Sequence, residues 1–430
     1  MTDGISSDRA RHHWLAPHTT VLGGLDPDAP LDDLEPLRPV IGGARVVAVG
    51  EGAHFVREFA LARQRLVRFL AERCGFTVLA FEYGFAEGIA LQRWLDADTG
   101  DPVPAGGTAN AGLTADMGHW LRRHNRTGGH PLRFVGVDVP VAGGDLRPVL
   151  EPLAAYLRDV DPEALPRVEA ALAVADRFAG ASVAAAAPAW AALEPAERDG
   201  LTAALARLLL RARALEPVYV ERGGADRYAT ALRLLEAAAH TDYMLGAMRD
   251  LFAGGGLGND TSVREHYMAQ TLLWHLERAE PGTRFVLAAH NNHIQKTPIT
   301  GDHTALPMGH LLHRALGEDY RAVALTHTAD RVPEMHPDAS PAGFSVVEEP
   351  LAPPPEGSVE AALVAAGHGG ATVLADLRSA PEAPARRLDR MRSQSAVMAV
   401  PVRDAFDAVL SVPSTTTEVS MELGAEPGRE

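Results

Sequence analysis

Along the first third of the chain, short β-branched runs alternate with longer stretches whose apolar residues recur at helical spacing. Arg45 to Gly50 (RVVAVG) is one such run, and Phe55 to Cys74 behind it places apolar residues every third or fourth position. This reads as strand, loop, helix. The pattern returns at Thr77 to Phe81, whose strand passes through Glu82, Tyr83 and Gly84 into a helix over Ala86 to Leu95, and again at Arg133 to Val139. Three such units predict a parallel sheet.

From Leu146 to Phe252 no β-rich run occurs. The segment is rich in alanine, leucine and arginine, is helically periodic, and is punctuated by Pro152, Pro162 and Pro188. Strand signals resume at Arg284 to Ala289, Tyr320 to Thr326, Ala371 to Leu377 and Phe406 to Val412. The pattern predicts an α/β fold: a mixed, largely parallel sheet flanked by helices, with an inserted all-helical subdomain. The division follows as residues 1–145 (first half of the α/β domain), 146–260 (helical insertion), 261–415 (second half) and 416–430 (acidic tail). The Gly254 to Gly258 cluster reads as a flexible link, Pro350 to Glu356 as a surface connection, and Thr415 to Glu430 as a poorly ordered polar stretch.

Composition narrows the function. At 430 residues with 46% hydrophobic and 22% charged residues, the chain is an ordinary globular protein of enzyme size. Its net charge of -16 repels phosphate backbones and anionic lipid, so neither nucleic acid nor a membrane is an expected partner. The most apolar stretch, Ala181 to Leu193, is alanine-rich and broken by Pro188, which is unsuited to a membrane span. The opening Met-Thr-Asp-Gly offers neither a basic nor an apolar signal region, so a cytoplasmic location is expected. One cysteine, Cys74, leaves no internal disulfide and no cysteine-based zinc cage.

Ligands of open α/β sheets bind beyond the carboxyl ends of the strands, and here those ends carry ionisable groups in succession. Glu51 and His54 follow the first strand, Glu82 the second, Asp138 the third, and His290 and His293 the strand at Arg284 to Ala289. Singly, each is more commonly a satisfied structural residue or a helix cap. Four strand ends together point to a site. Gly50 and Gly52 allow a tight loop that presents Glu51 and His54 above the sheet. A carboxylate on one imidazole nitrogen fixes the tautomer, leaving the other to take a proton from water. Glu82 is expected one strand over from that loop, near enough to share an imidazole nitrogen or a water. Arg63, nine positions after His54, joins the site only if His54 precedes the first helical turn.

Other chemistries have weaker signals. His290 and His293 also read as a metal pair, but there is no HExxH and no cysteine ligand, and a metal-free site is preferred. His310 and His313 fall on an ordinary helix face. No GxSxG occurs; the nearest string, Gly180 to Ala184 around Ser182, lies in the helical segment. Cys74 has no activating partner. No nucleotide loop is present, and no cofactor is implied.

Five stretches together resemble the erythromycin esterase family: GEGAHFVREF (50–59), GFTVLAFEYGFAEG (75–88), GVDVP (136–140), YMAQTLLWHL (267–276) and AHNNHIQKTPI (289–299). LPMG (306–309) and EGSVE (356–360) point within it to the type II macrolide esterases. The resemblance implies cofactor-free hydrolysis of a macrolactone ester in a cleft between an α/β domain and helices. Its motif residues fall on Glu51, His54, Arg63, Glu82, His290 and His293, of which Arg63 is added by the resemblance alone. The reading expected from these residues makes His54, oriented by Glu51 or Glu82, the base that deprotonates water, with Arg63 stabilising the oxyanion and His290 or His293 protonating the departing alkoxide. One departure is Ala53, where the family often has a hydroxyl residue just before the base. A biosynthetic hydrolase or cyclase, a metal-dependent hydrolase and a non-catalytic binding protein remain the competing readings.

Overall fold

A computed structural model of the protein describes residues 14–97, 113–252, 255, 260–300 and 304–418. The opening tetrapeptide, most of the Gly254 to Gly258 link and residues 419–430 of the expected tail lie outside the described residues.

Twelve strands are described: β1 (Thr19–Val21), β2 (Val46–Val49), β3 (Val78–Gly84), β4 (Arg133–Asp138), β5 (Phe285–Ala288), β6 (Tyr320–His327), β7 (Arg331–Pro337), β8 (Phe344–Pro350), β9 (Val373–Asp376), β10 (Arg390–Ser393), β11 (Ala396–Ala399) and β12 (Ala408–Val412). Eight form one sheet in the order β1-β9-β12-β6-β2-β5-β3-β4. Pairing is parallel from β12 through β4, while β9 runs antiparallel to both β12 and β1. The sheet is mixed and largely parallel, and both halves of the chain build it.

Every residue of β2, β5, β6 and β12 is buried, as strands covered on both faces must be. Side chains alternate between two apolar clusters. Val47 and Val49 of β2 face one side, with Phe59, Leu66 and Leu70 of the Arg57–Cys74 helix; Val46 and Ala48 face the other, with Met268 and Leu272 of the Ser262–Arg278 helix. Between residues 147 and 252 the chain is helical throughout its regular structure, in six α-helices around a third apolar cluster that also takes in Phe85, Val139 and Tyr267.

Several local expectations change. β5 lies between β2 and β3, so Glu82 stands two strands from the His54 loop rather than one, with His290 between them. Two hairpins, β7-β8 and β10-β11, do not follow from the strand reading. Thr415 to Glu418 are not loose: Val56 bridges Thr417, and Glu418 N–H donates to Phe55 C=O at 2.8 Å. This terminal stretch thereby pairs with the start of the Arg57–Cys74 helix. Ser182 caps the Val183–Ala191 helix through the N–H groups of Ala184 and Ala185. His310 and His313 bond to backbone carbonyls of Lys296 and Gly317, and Cys74 is half-buried at a helix end.

The loop after β2 is held tightly. The last ladder bond runs from Gly50 N–H to Val323 C=O of β6 at 2.9 Å; beyond it the Asn291 side chain takes the place of the β2 backbone against β6, donating to Leu325 C=O at 2.7 Å and accepting from Leu325 N–H at 3.3 Å. Asn291 N–H also donates to Glu51 C=O at 2.9 Å. These contacts need glycine at two positions. A Cβ at Gly50 would overlap the Asn291 amide, and one at Gly52 would sit 2.8 Å from the Leu325 carbonyl oxygen. Gly50→Ala is therefore expected to destabilise the protein by about 1–3 kcal/mol, the usual cost of forcing an extra carbon into a closed site. Chemical denaturation of the two proteins measures it, and an unchanged midpoint would contradict this packing.

Candidate active site

The strand order makes the site. The chain passes from β2 to β3 in one direction across the sheet and from β5 to β6 in the other, so the ends of β2 and β5 flank a topological switch point. Glu51 and His54 come from the loop after β2, Glu82 from the end of β3, Asp138 from the end of β4, and His290 and His293 from the turn after β5. Within β3 the register against β4 shifts between Phe81 and Gly84, freeing Glu82 to face the site while Tyr83 stays in the core. The Phe85–Asp96 helix has no side-chain cap, so Glu82 is not its cap.

Glu51 is buried and divides its two oxygens. Oε1 meets His54 Nδ1 at 2.9 Å, and Oε2 accepts from the Arg63 guanidinium. Arg63 is fully buried and lies over the Phe81 ring, 5.3 Å from its centroid. The helix begins at Arg57, three residues after His54, which satisfies the condition for Arg63 to reach the site. Burial alone would raise the Glu51 pKa, but Arg63, and then His54, outweigh it and hold the carboxyl below its ordinary value. An ionised Glu51 accepts the His54 Nδ1–H, so the lone pair is on Nε2. His54 is partly exposed, with its side chain at 21% of full exposure, enough for that nitrogen to meet solvent or substrate.

His290 and His293 differ sharply. The His290 ring lies 4.8 Å from that of His54, and its Nδ1 accepts the Asn292 N–H at 3.1 Å, capping the short Asn291–Ile294 helix. Burial, then His54 and His293, push its pKa down to about 3. The ring is neutral, and its proton sits on Nε2, a buried atom with no hydrogen-bond partner among the described residues. His293 is a cation. Burial lowers its pKa, but Glu265, 2.6 Å from Nδ1, and Glu82, 3.1 Å from Nε2, raise it to about 10.

Glu82 ties these parts together. Its Oε1 also accepts from Arg264 at 3.0 Å, and its Oε2 accepts the His290 backbone N–H at 2.8 Å. Burial opposes ionisation, yet His293, then Arg264 and His54, hold the Glu82 carboxyl well below its ordinary range. Arg264 continues the chain to Asp138, at 2.9 Å from Nε to Oδ1. Four carboxylates, Glu51, Glu82, Asp138 and Glu265, thus face three cations, Arg63, Arg264 and His293.

The strand-end residues named from the sequence are therefore brought together, with Asp138 joined only through Arg264. Arg264, Glu265, Asn291 and Gln394 were not anticipated. Arg264 and Glu265 stand just before the YMAQTLLWHL stretch, at a polar helix start that carries no signal of its own. Among the described residues no three His, Cys, Asp or Glu side chains are grouped to hold a metal ion.

The family model for erythromycin esterase matches residues 71–415. The chain belongs to the erythromycin esterase family. It is 34% identical over 403 residues to erythromycin esterase type II of Escherichia coli, covering 92% of this chain and 96% of that one. Against erythromycin esterase type I of the same organism the identity is 36% over 390 residues, covering 89% and 94%. Among solved structures, an erythromycin esterase mutant in its open conformation matches with a TM-score of 0.86 at 34% identity, covering 93% and 98%. A Bacillus cereus protein at 18% identity and a TM-score of 0.72, covering 94% and 97%, shares the fold alone. As a member of this family the chain is a hydrolase of ester bonds. No helix among the described residues is long and apolar enough to cross a membrane.

The clamp around His293 has a pH signature. Its pKa rises on folding from 6.5 to about 10, so its stabilisation is complete below pH 6.5 and is lost as pH climbs toward 10, where the folded protein alone still holds the proton. Glu82 acts oppositely, stabilising above its ordinary value of 4.5 and losing that contribution as pH falls. His293→Gln is expected to lower stability at pH 6 and to flatten the decline between pH 7 and 10. Urea unfolding at several pH values checks this, and parallel curves for the two proteins would refute it.

Proposed function

We propose that the protein opens a macrolide or related polyketide lactone with water, and that His54 is the general base. The observation that carries this reading is the Glu51 contact to His54 Nδ1, which leaves Nε2 as the proton acceptor beside a neutral His290. Water gives one proton to His54 Nε2 while its oxygen bonds to the ester carbonyl carbon. The resulting oxyanion takes a hydrogen bond from His290 Nε2–H, which has no other partner among the described residues. As the tetrahedral intermediate collapses, the carbon–alkoxide bond breaks and the His54 imidazolium returns its proton to the leaving oxygen. The products are a carboxylic acid and an alcohol on one opened ring.

Two roles in this proposal differ from those expected from the sequence. Arg63 is fully buried and held by Glu51, so it orients the base through that carboxylate rather than meeting the oxyanion. His293 has both ring nitrogens on carboxylates, so it acts as a fixed charge holding Glu82. A neutral His290 would have to become an imidazolate to protonate an alkoxide, which returns that step to His54. The macrolide substrate is supported by the near-full-length similarity to erythromycin esterases of both types. The charge of -16 supports a small molecule, rather than nucleic acid or a membrane, as the partner.

We also propose that no metal takes part. His293 has no free nitrogen, and His290 has one nitrogen bonded to backbone and the other carrying its proton, so the pair offers no ready ligand. Dialysis against a chelator is expected to leave turnover unchanged, and activity lost there and restored by one divalent metal would reverse the proposal.

The decisive experiment is mass spectrometry of a macrolide panel incubated with the protein. A gain of one water on at least one macrolide is expected, with His54→Asn slower by roughly 10²–10⁴-fold and an unchanged melting curve. A blank panel would remove the macrolide reading, and full turnover by His54→Asn would remove the base.

A further inference from the structure

The β10-β11 hairpin ends in a turn at Gln394 and Ser395 that reaches back over the loop after β2. Gln394 N–H donates to Gly52 C=O at 2.7 Å, and its side-chain Oε1 accepts the His54 backbone N–H at 2.5 Å. One residue therefore holds the His54 loop at two points, one of them the backbone of His54 itself. The amide is in turn oriented: its Nε2 donates to Glu334 Oε1 of β7 at 3.3 Å, and Ser395 N–H donates to Glu334 Oε2 at 2.8 Å. The next residue back, Ser393, donates to Asn292 Oδ1 at 3.2 Å. A single turn thus touches both the His54 loop and the turn that follows His290.

The backbone indicates how tightly this contact is specified. Phe55, directly after His54, has φ 61°, and Gln394 has φ 53°, in the left-handed region that residues other than glycine seldom occupy. Such conformations persist where the surroundings over-determine them, and here they lie on the two sides of one contact. Phe55 is further held against Phe344 of β8, with ring centroids 6.0 Å apart. Glu51 fixes the tautomer and ring of His54 from within the sheet. Nothing in that contact fixes where the His54 backbone lies along its loop.

We propose that Gln394 is a positioning residue for the ester hydrolysis: it sets the His54 backbone, and so the place of Nε2 relative to the carbonyl carbon under attack. The proposal rests on His54 being the base. It makes the β7-β8 and β10-β11 hairpins a brace for the catalytic loop, with Glu334 aiming the amide of Gln394.

The test uses the full-length protein and whichever ester the macrolide panel identifies. Gln394→Met keeps length and the turn N–H but removes the acceptor for His54. It is expected to lower kcat by about 10- to 100-fold, the scale of a displaced catalytic group, with KM within about twofold. In the double variant Gln394→Glu with Glu334→Gln, the introduced carboxylate still accepts the His54 N–H, and the introduced amide donates back to it. This exchange is expected to restore kcat to within a few-fold of the parent. Near-normal kcat in Gln394→Met overturns the proposal, as does a loss that the exchange leaves in place, since that would make the contact mere packing. Should Gln394→Met fail to fold, the exchange is compared with Gln394→Glu alone, which faces Glu334 with a like charge. Equal turnover in those two overturns the proposal equally. His54→Asn is measured alongside: if it retains turnover, the base assignment fails, whereas a dead His54→Asn with a normal Gln394→Met removes only the role of Gln394.

Discussion

The buried pair of Glu51 and Arg63 is the constraint on which the site depends. A carboxylate removed from water would ordinarily take up a proton, and a protonated Glu51 could neither fix the His54 tautomer nor stabilise its cation. Arg63, wholly buried and backed by the Phe81 ring, keeps Glu51 ionised. Its position follows from the helix that begins at Arg57, whose apolar face packs Phe59, Leu66 and Leu70 against the sheet and leaves Arg63 aimed toward the strand ends. The packing of an ordinary amphipathic helix thereby sets the charge state of the carboxylate that meets His54.

A second ion network stands behind the first. Asp138, Arg264, Glu82, His293 and Glu265 run as alternating charges from the end of β4 to the turn after β5. It is costly to assemble such a network away from water, and the cost is offset only when every member is paired. What it provides is registration. Glu82 Oε2 accepts the His290 backbone N–H, so the charges on β3 and on the Ser262–Arg278 helix determine where the His290 ring stands beside His54. One histidine of the HNNH stretch is consequently a locked cation and the other a neutral donor. Residue type is identical in the two; direct hydrogen bonds from both ring nitrogens to carboxylates raise His293, while His290 makes none and is lowered by burial and by its two histidine neighbours.

Much of this was legible in the chain. Parallel strands declare themselves as β-branched runs, because a strand covered on both faces has no polar side to show, and RVVAVG, TVLAF and FVLAA are such runs. The glycines around Glu51 and the ionisable residues at four strand ends follow from the rule that parallel sheets bind ligands beyond their carboxyl edge. The hairpins were less visible. Gln394 and Ser395 lack the Asn-Gly type of turn signal, and β7 carries Pro333, which weakens its strand pattern.

The sequence by itself determined the fold class, the family and the ionisable groups at the strand ends, because these depend on local periodicity and on motifs read in order. Only the tertiary structure decided which partners each group meets. β5 inserts between β2 and β3 from more than two hundred residues downstream, placing His290 between His54 and Glu82. Arg264, Glu265 and Gln394 arrive from segments whose local pattern is simply polar. Charge state, tautomer and the position of a backbone amide are set by neighbours distant in the chain, and a property that belongs to contacts across the fold cannot be read from spacing along it.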